Sequence, residues 1–553
     1  MPGDAEFGLS KPRWPALAGD RADTDDMPTL ESENLPSGFR PITLEGVSSP
    51  SPAWETPLPP LPEEKPWLQL PGDGRTVADF AQDLGVQLAP YGVYRCKEDV
   101  LAEDRAAKTS AVLKAPRLVT FVDDFVRCTK LPAPAQDEED KRVVISMTAG
   151  NARLVLAADQ FRHQLSAITH VNPIRMPVLS ATNELRLLPT GVDAPTRIFT
   201  TRGSTAYRLD LPIAEARALL DGLLAEFPFV DAPYAKAVQI AAMLTVYGLD
   251  LLSPQCVLPA FAYTASNPGA GKGLLVQMAV LPVFGILPTT APPSTENAMS
   301  KLLLACARNQ LRMLLLDNMD RLIQSASLEA FITAPNFSGR LLGFTEQVTY
   351  AKKTVVFLTG NQLQMRADLR RRTLAVECFQ AVARAEDRPI VNPLSEGVLL
   401  SRRGEILAAL YALVRHWHDD GCQGPSRVQP GLDEWSRVIG GIVQHAGYAC
   451  PIPAPTATTL DPVIQGMERL VAELATRGRG HKFQEIVRFC QVAGLFDDYL
   501  PVERPLNDGE KRRFSALLVR HNGMRFRGEI TFHCQPHGHA RRYLATRPPA
   551  VPG

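Results

Sequence analysis

Residues Ala262 to Leu274 read AYTASNPGAGKGL, an apolar run that breaks into a glycine-rich turn ending in a lysine. The run predicts a buried strand. The glycines permit backbone angles that let consecutive N–H groups around Gly269, Ala270 and Gly271 face phosphate oxygens. A helix starting near Lys272 adds its positive end. The match to the phosphate-loop pattern GxxxxGK[S/T] is incomplete. Ser266 stands where the first glycine belongs, and Gly273 replaces the hydroxyl that reaches magnesium. Alone, the stretch supports a nucleotide site and a plain Gly/Pro turn about equally.

The elements that follow decide between the two. Leu311 to Asp320, LRMLLLDNMD, predicts a central parallel strand with Asp317 and Asn318 at its carboxyl end, where open α/β sheets place their ligand sites. An aspartate there is a turn residue or a magnesium ligand beside phosphates. A third strand, Thr354 to Thr359, ends in Gly360 and Asn361, an amide able to hold an attacking water or a terminal phosphate. Asp368 to Leu374, DLRRRTL, brings three adjacent arginines, either a solvated surface or guanidinium groups for the phosphates of a neighbouring subunit. Lysine loop, strand aspartate, strand asparagine and arginine cluster in this order favour nucleotide binding.

Composition sets the bounds. The 553 residues suffice for several domains with a sizeable core. The uncharged runs Leu251 to Gly271 and Gly273 to Thr295 are broken by prolines, glycines and polar residues and do not resemble membrane spans. No basic-then-apolar leader opens the sequence, and nine scattered cysteines without a CxxC pair suit a reducing cytoplasm. The net charge of zero hides an asymmetry: residues 1–66 hold 12 Asp/Glu against 5 Lys/Arg, whereas residues 475–553 hold 14 Lys/Arg against 7 Asp/Glu.

Residues 1–66, with 13 prolines and no apolar period, read as a disordered tether. Residues 67–195 read as a small α+β domain, with a helix at Val77 to Leu84 and strand-like runs at Arg117 to Phe121, Arg142 to Ser146 and Ala152 to Leu156. His163 and His170 read as structural histidines. Residues 196–255 form a helical lead-in broken at Phe227-Pro228-Phe229. Two further helices are expected at Arg403 to His416 and Leu432 to Ala446, with Trp417 and Trp435 as core anchors. After Gly480 come two short helices, Phe483 to Val492 and Gly509 to Asn522, and then strands. His533, Cys534, His537 and His539 lack the second distant ligand pair of a zinc site.

The ordered set EFPF (Glu226 to Phe229), PGAGKGLL (Pro268 to Leu275), LLLDN (Leu314 to Asn318), GRLLGFTE (Gly339 to Glu346), TGNQ (Thr359 to Gln362) and DLRRRTLAVE (Asp368 to Glu377) resembles the AAA+ helicases related to superfamily 3. These occur as replication or primase-associated helicases of phages, plasmids and integrated elements. The resemblance runs from about Leu187 onward. It implies an α/β fold: an AAA+ P-loop ATPase core at 256–385, a helical lid at 386–479 and a winged-helix DNA-binding domain at 480–547. It implies ATP and Mg²⁺ as cofactors, and a nucleotide cradle of Pro268, Gly269, Ala270, Gly271, Lys272, Gly273 and Leu274. Lys272 is then the Walker A lysine, Asp317 the Walker B metal acid, Asn361 the sensor 1 residue, and Arg371 or Arg372 the finger reaching the next subunit. Asp317-Asn318 looks like the pattern of this subgroup, whereas Gly273 departs from it.

Residues 339–353 are then expected as a hairpin tracking DNA through Arg340, Lys352 and Lys353, with an ordinary surface loop as the alternative. Lys511, Arg512, Arg513, Arg520, Arg525, Arg527, Arg541 and Arg542 are expected to contact phosphates from the winged helix. The expected function is an ATP-driven, hexameric, cytoplasmic DNA helicase acting on single-stranded or forked DNA, with a possible separate primase. An initiator, loader or primase-linked ATPase without processive unwinding is the alternative, and an inactive DNA-binding scaffold the second.

Overall fold

In the computed structural model, the described residues are 58–72, 74–130, 143–265, 269–319, 322–340, 347–379, 390–453, 462–496, 499–501, 504–526, 530–537 and 540–546. The central element is the strand that opens the quoted stretch. A helix apolar on every side, α1 (Ala232–Tyr247), precedes it and is buried along most of its length, as such a helix must be. It leads into β1 (Ala260–Ala265), α2 (Lys272–Phe284), β2 (Thr289–Thr290), α3 (Glu296–Arg308), β3 (Met313–Met319) and α4 (Ala326–Thr333). The antiparallel hairpin β4 (Asn336–Arg340) and β5 (Gln347–Ala351) follows, then β6 (Val355–Asn361) and β7 (Thr373–Cys378).

Five of these strands form one sheet in the order β2-β3-β6-β1-β7, and every pairing is parallel. Alternation along the strands divides the core. Phe261, Tyr263, Leu315, Phe357 and Val376 face one side with α1 and α2, while Ala260, Ala262, Leu314, Leu316 and Leu358 face the other with α3 and α4. Each fully buried large side chain contributes about 1.5–3 kcal/mol, which favours covering both faces. The expected α/β class holds.

The helix α5 (Arg403–Asp419) is one turn longer than expected and buries Ile406, Leu407, Leu410, Leu413 and Trp417. The short helix α6 (Gly441–His445) follows the buried Trp435 through a wider π turn. Both share the core cluster of α1 and α2. The helices expected as a lid therefore pack against α1 and α2 in the main core. The sequence period shows which side of a helix is apolar but not what it packs against.

The end assigned to that lid at residue 479 also shifts. In α7 (Pro462–Arg477), Met467, Leu470, Val471 and Leu474 form a stripe that packs with Ile486, Phe496 and Phe514 of the C-terminal region. That region contains β8 (His481–Lys482), α8 (Phe483–Val492), α9 (Asp508–Arg520), β9 (Arg525–Phe526), β10 (Ile530–His537) and β11 (Ala540–Thr546). Its antiparallel sheet runs β8-β11-β10-β9.

In the N-terminal region the expected helix is observed as Val77–Leu88. Two expected strands are helical instead: Arg117 to Phe121 lies in Ala115–Val122, and Ala152 to Leu156 in Ala149–Ala157. A short apolar run suits either period, so caps decide: a proline opens the first helix, and the Thr148 hydroxyl accepts the Asn151 N–H at 3.1 Å in the second. Of Arg142 to Ser146, residues 143–146 form no strand and Arg142 lies outside the described residues. The expected tail of 1–66 ends earlier, because the Pro59 carbonyl accepts from Arg105 Nη1 at 2.8 Å and the Asp123 carbonyl accepts from Lys65 Nζ at 2.7 Å.

This region is joined to the sheet at a buried carboxylate. Asp250 accepts from Arg312 at 2.7 Å and from Asn172 at 2.7 Å, and lies 3.2 Å from His170 Nε2. Burial alone would push the Asp250 carboxyl up, but the Arg312 guanidinium, with His170, holds it well below the usual range. His170 is thus structural, as expected. No described helix is long and apolar enough to cross a membrane.

Candidate functional site

The carboxyl ends of β1, β6 and β3 lie side by side, because β6 pairs with both neighbours. Their tips and the glycine loop enclose a cleft of about 500 Å³ lined by Gly269, Gly271, Lys272, Gly273, Asp317, Asn318, Thr359 and Asn361. Gly269 and Gly271 have φ of +82° and +90°, in the left-handed region that favours glycine. Gly271 caps α2, so Lys272 occupies the first helical position with the helix's positive end behind it.

Lys272 Nζ donates to Asn361 Oδ1 at 2.7 Å, joining the loop to the tip of β6. Partial burial pulls its ammonium pKa down, while Cys378 and Asp317 oppose that. Asp317 and Asn318 sit where the β3–β6 register shifts, between Leu316 and Met319. Asn318 takes the left-handed conformation at φ +57°. Its N–H donates to Thr359 Oγ1 at 3.0 Å, and the Thr359 hydroxyl donates to Asp317 Oδ1. Both Asp317 and Asn318 are exposed, whereas Thr359 is buried at 2 %.

Thr359 is the site residue that sequence reasoning passed over. The signal was present: it lies two positions before Asn361, and period-two alternation points both side chains the same way. Phe227 is a second omission. Its ring lies 2.8 Å from where a Cβ on Gly271 would stand, so it backs the loop. The segment is attached to β7 through Val230 N–H to Glu377 O at 3.0 Å and Phe379 N–H to Pro228 O at 2.8 Å.

Of the expected cradle, Gly269, Gly271, Lys272 and Gly273 line the cleft, while the Ala270 and Leu274 side chains turn into the core. Pro268 lies outside the described residues. Backbone N–H groups at a helix start, a lysine and a neighbouring carboxylate suit a phosphate chain with a divalent cation. Gly273 has open space around it, with no atom beyond its chain neighbours and its own helix backbone within 4 Å of a Cβ placed there.

Arg371 and Arg372 do not join this cluster. They precede β7, whose first residue Thr373 pairs with Ala260, the first of β1. They therefore sit at the amino edge of the sheet, a strand length from Lys272. Arg371 is exposed and pairs with Asp368 at 3.2 Å, and Arg372 packs against Gly431.

The hairpin expected at 339–353 is present as β4 and β5, its tip at 341–346 lying outside the described residues. Arg340 is exposed, as a DNA contact requires. Lys352 and Lys353 are not: the Lys352 ammonium lies 4.4 Å from the centroid of the Phe331 ring, and Lys353 Nζ donates to the Leu252 carbonyl. Burial pushes both ammonium groups down to about 8. Both lysines follow the exposed end of β5 at Ala351 and are covered by Phe331 and the Leu252 carbonyl, so they are packed into the fold in place of the DNA contacts expected.

In the C-terminal region Lys511, Arg512, Arg513, Arg520, Arg525 and Arg541 are exposed, Lys511 pairing with Asp508 at 2.9 Å, while Arg527 lies outside the described residues. Arg542 is half-buried and donates to the Gly480 carbonyl at 3.2 Å. His533 Nε2 lies 2.8 Å from Thr546 Oγ1, and no metal-ligand group forms around Cys534 among the described residues.

No family model matches the chain, and no curated protein matches it. Among solved structures it is similar to two chains described as the A form apo structure of the NrS-1 C terminal region. The TM-scores are 0.37 and 0.36 at 10% and 11% identity, each covering 82% of this chain and 95% of that one. At this distance the likeness says nothing of activity or partner.

Proposed function

We propose that the chain is an ATP-hydrolysing DNA helicase of the AAA+, superfamily 3-like type, acting as a hexameric ring in replication of a phage, plasmid or integrated element. One observation carries the reading. Lys272, Asp317, Thr359 and Asn361, far apart in sequence, meet in one cleft under a positive-φ glycine loop at the carboxyl edge of a parallel sheet.

The loop N–H groups and Lys272 hold the β- and γ-phosphates. Asn361, released from Lys272 when phosphate takes its place, orients the attacking water for in-line displacement. Thr359 fixes the rotamer of Asp317, the residue that would hold magnesium; the ion, when bound, neutralises phosphate charge. Arg371 and Arg372 are too distant to serve their own cleft. They belong with a finger role on a neighbouring subunit, which motivates the ring. Three helices with an antiparallel sheet and a basic surface support a winged helix on DNA phosphates.

Gly273 favours a second reading, a nucleotide-binding scaffold that hydrolyses slowly or not at all. Lys272→Ala is expected to remove DNA-stimulated ATP hydrolysis, and unchanged turnover would sink the site assignment. Strand displacement on a forked substrate separates a helicase from a loader. Nucleotide binding without phosphate release identifies the scaffold.

A further inference from the structure

Away from the phosphate cleft, three side chains of metal-ligating chemistry converge where α5 ends beside α6. His416 Nδ1 lies 3.5 Å and His445 Nε2 lies 2.7 Å from the same oxygen, Asp420 Oδ2. The two imidazole centroids are 4.6 Å apart at an interplanar angle of 40°. One ligand atom from each of the three residues falls within 4.8 Å of the others, and among the described residues no other trio of His, Cys, Asp or Glu does so.

The backbone accounts for this placement. His416 and Asp420 are four apart at the end of α5, so they share one face. His445, the last residue of α6, reaches across to the same face. Both helices are held by buried neighbours: Leu413 and Trp417 in α5, Ile442 and Val443 in α6. Ligands on packed helices are positioned more sharply than ligands on loops. The carbonyls ending α5 add negative potential, which favours a cation here.

The pairing also discriminates between occupants. A hydrogen bond between Asp420 and His445 needs one imidazole. The second ring, pressed against the first and aimed at the same oxygen, gains little from that bond and repels its neighbour when both are protonated. A cation among the three uses all of them. Two imidazole nitrogens and one carboxylate suit zinc or a similar divalent transition metal, whereas magnesium prefers oxygen donors. Zinc at about 2.0–2.1 Å from each ligand asks for ligand edges near about 3.3 Å, within reach of small rotations of these side chains. His416 is 35% and Asp420 48% exposed, which leaves a coordination position for water.

We infer that His416, Asp420 and His445 bind a divalent transition-metal ion, zinc by preference, which ties the end of α5 to α6. The site is independent of the proposed ATPase. It is tested with the full chain, free of nucleotide and magnesium, by titrating zinc chloride by calorimetry and cobalt chloride by visible absorption. Expected are one zinc per chain at pH 7.5, tetrahedral cobalt bands and a zinc-dependent rise in Tm reversed by EDTA. His416→Ala and His445→Gln each lower zinc affinity at least tenfold, and so does the near-isosteric Asp420→Asn, whose fold is checked by circular dichroism. Cys534→Ser does not. A wild type that binds no zinc, a Tm indifferent to zinc, or wild-type affinity in the three variants would show a hydrogen-bonded cluster only and overturn the inference.

Discussion

At the residue scale, the weakest match in the phosphate loop is also the easiest to repair. Gly273 occupies the position where a hydroxyl reaches magnesium, and the space around it is open. Gly273→Ser is expected to fold normally and to lower the magnesium concentration for half-maximal ATP hydrolysis severalfold. An unchanged magnesium requirement would show that Asp317 alone sets the affinity. Gly271 has no such latitude, since its positive φ and the Phe227 ring both exclude a side chain.

Lys352 gives a pH-dependent prediction. Burial lowers its ammonium pKa from 10.5 to about 8, so the unfolded chain binds this proton more tightly than the folded one. The cost is fully present below about pH 8 and is relieved as pH rises toward 10.5. Lys352→Met is therefore expected to raise Tm at pH 7, with an advantage that shrinks through pH 8–10. A constant or absent advantage in thermal melts would mean that contact with Phe331 offsets the desolvation.

At the element scale, the site depends on how the tips of β3 and β6 meet. The register shift after Leu316 frees Asp317 and Asn318 from regular pairing, and Gly360 allows the close approach. A Cβ on Gly360 would stand 2.4 Å from Leu363 Cδ2 and 2.8 Å from the Met319 carbonyl oxygen. The side chain can move but the carbonyl cannot move cheaply. Gly360→Ala is expected to cost about 1–3 kcal/mol in urea denaturation and to reduce nucleotide binding with it. Full stability with full binding would show that the two tips are not coupled. The hairpin β4–β5 was expected over residues 339–353 only from the family resemblance, and its first strand starts earlier, at Asn336. Its lysines were misread because a basic residue after a strand looks solvated until the packing around Phe331 is seen.

At the scale of the whole molecule, the C-terminal region begins at α7 and has its own core. Removing residues 462–553 is expected to leave ATP hydrolysis without DNA intact, weaken DNA binding and flatten its salt dependence. Each lost phosphate contact reduces the slope of log K against log salt by about 0.7–0.9. An unaltered slope in fluorescence anisotropy would place the DNA contacts elsewhere. Truncation at 480 would instead leave the apolar stripe of α7 uncovered, so the boundary affects the result.

The sequence by itself determined the α/β class, the order of loop, acid, amide and arginine elements, and the apolar burial of α1, α5 and Trp435. These follow from local patterns: a period of two or 3.6, and glycine or proline where the backbone turns. Tertiary structure decided what periodicity cannot carry. Strand order brought Asn361 between Lys272 and Asp317 and left Arg371 and Arg372 at the far edge. Packing turned Lys352 and Lys353 inward, joined the expected lid to the main core, moved α7 to the C-terminal region, and brought His416 and Asp420 against His445. Each of these depends on which distant surface an element is buried against, and the local sequence does not contain its partner.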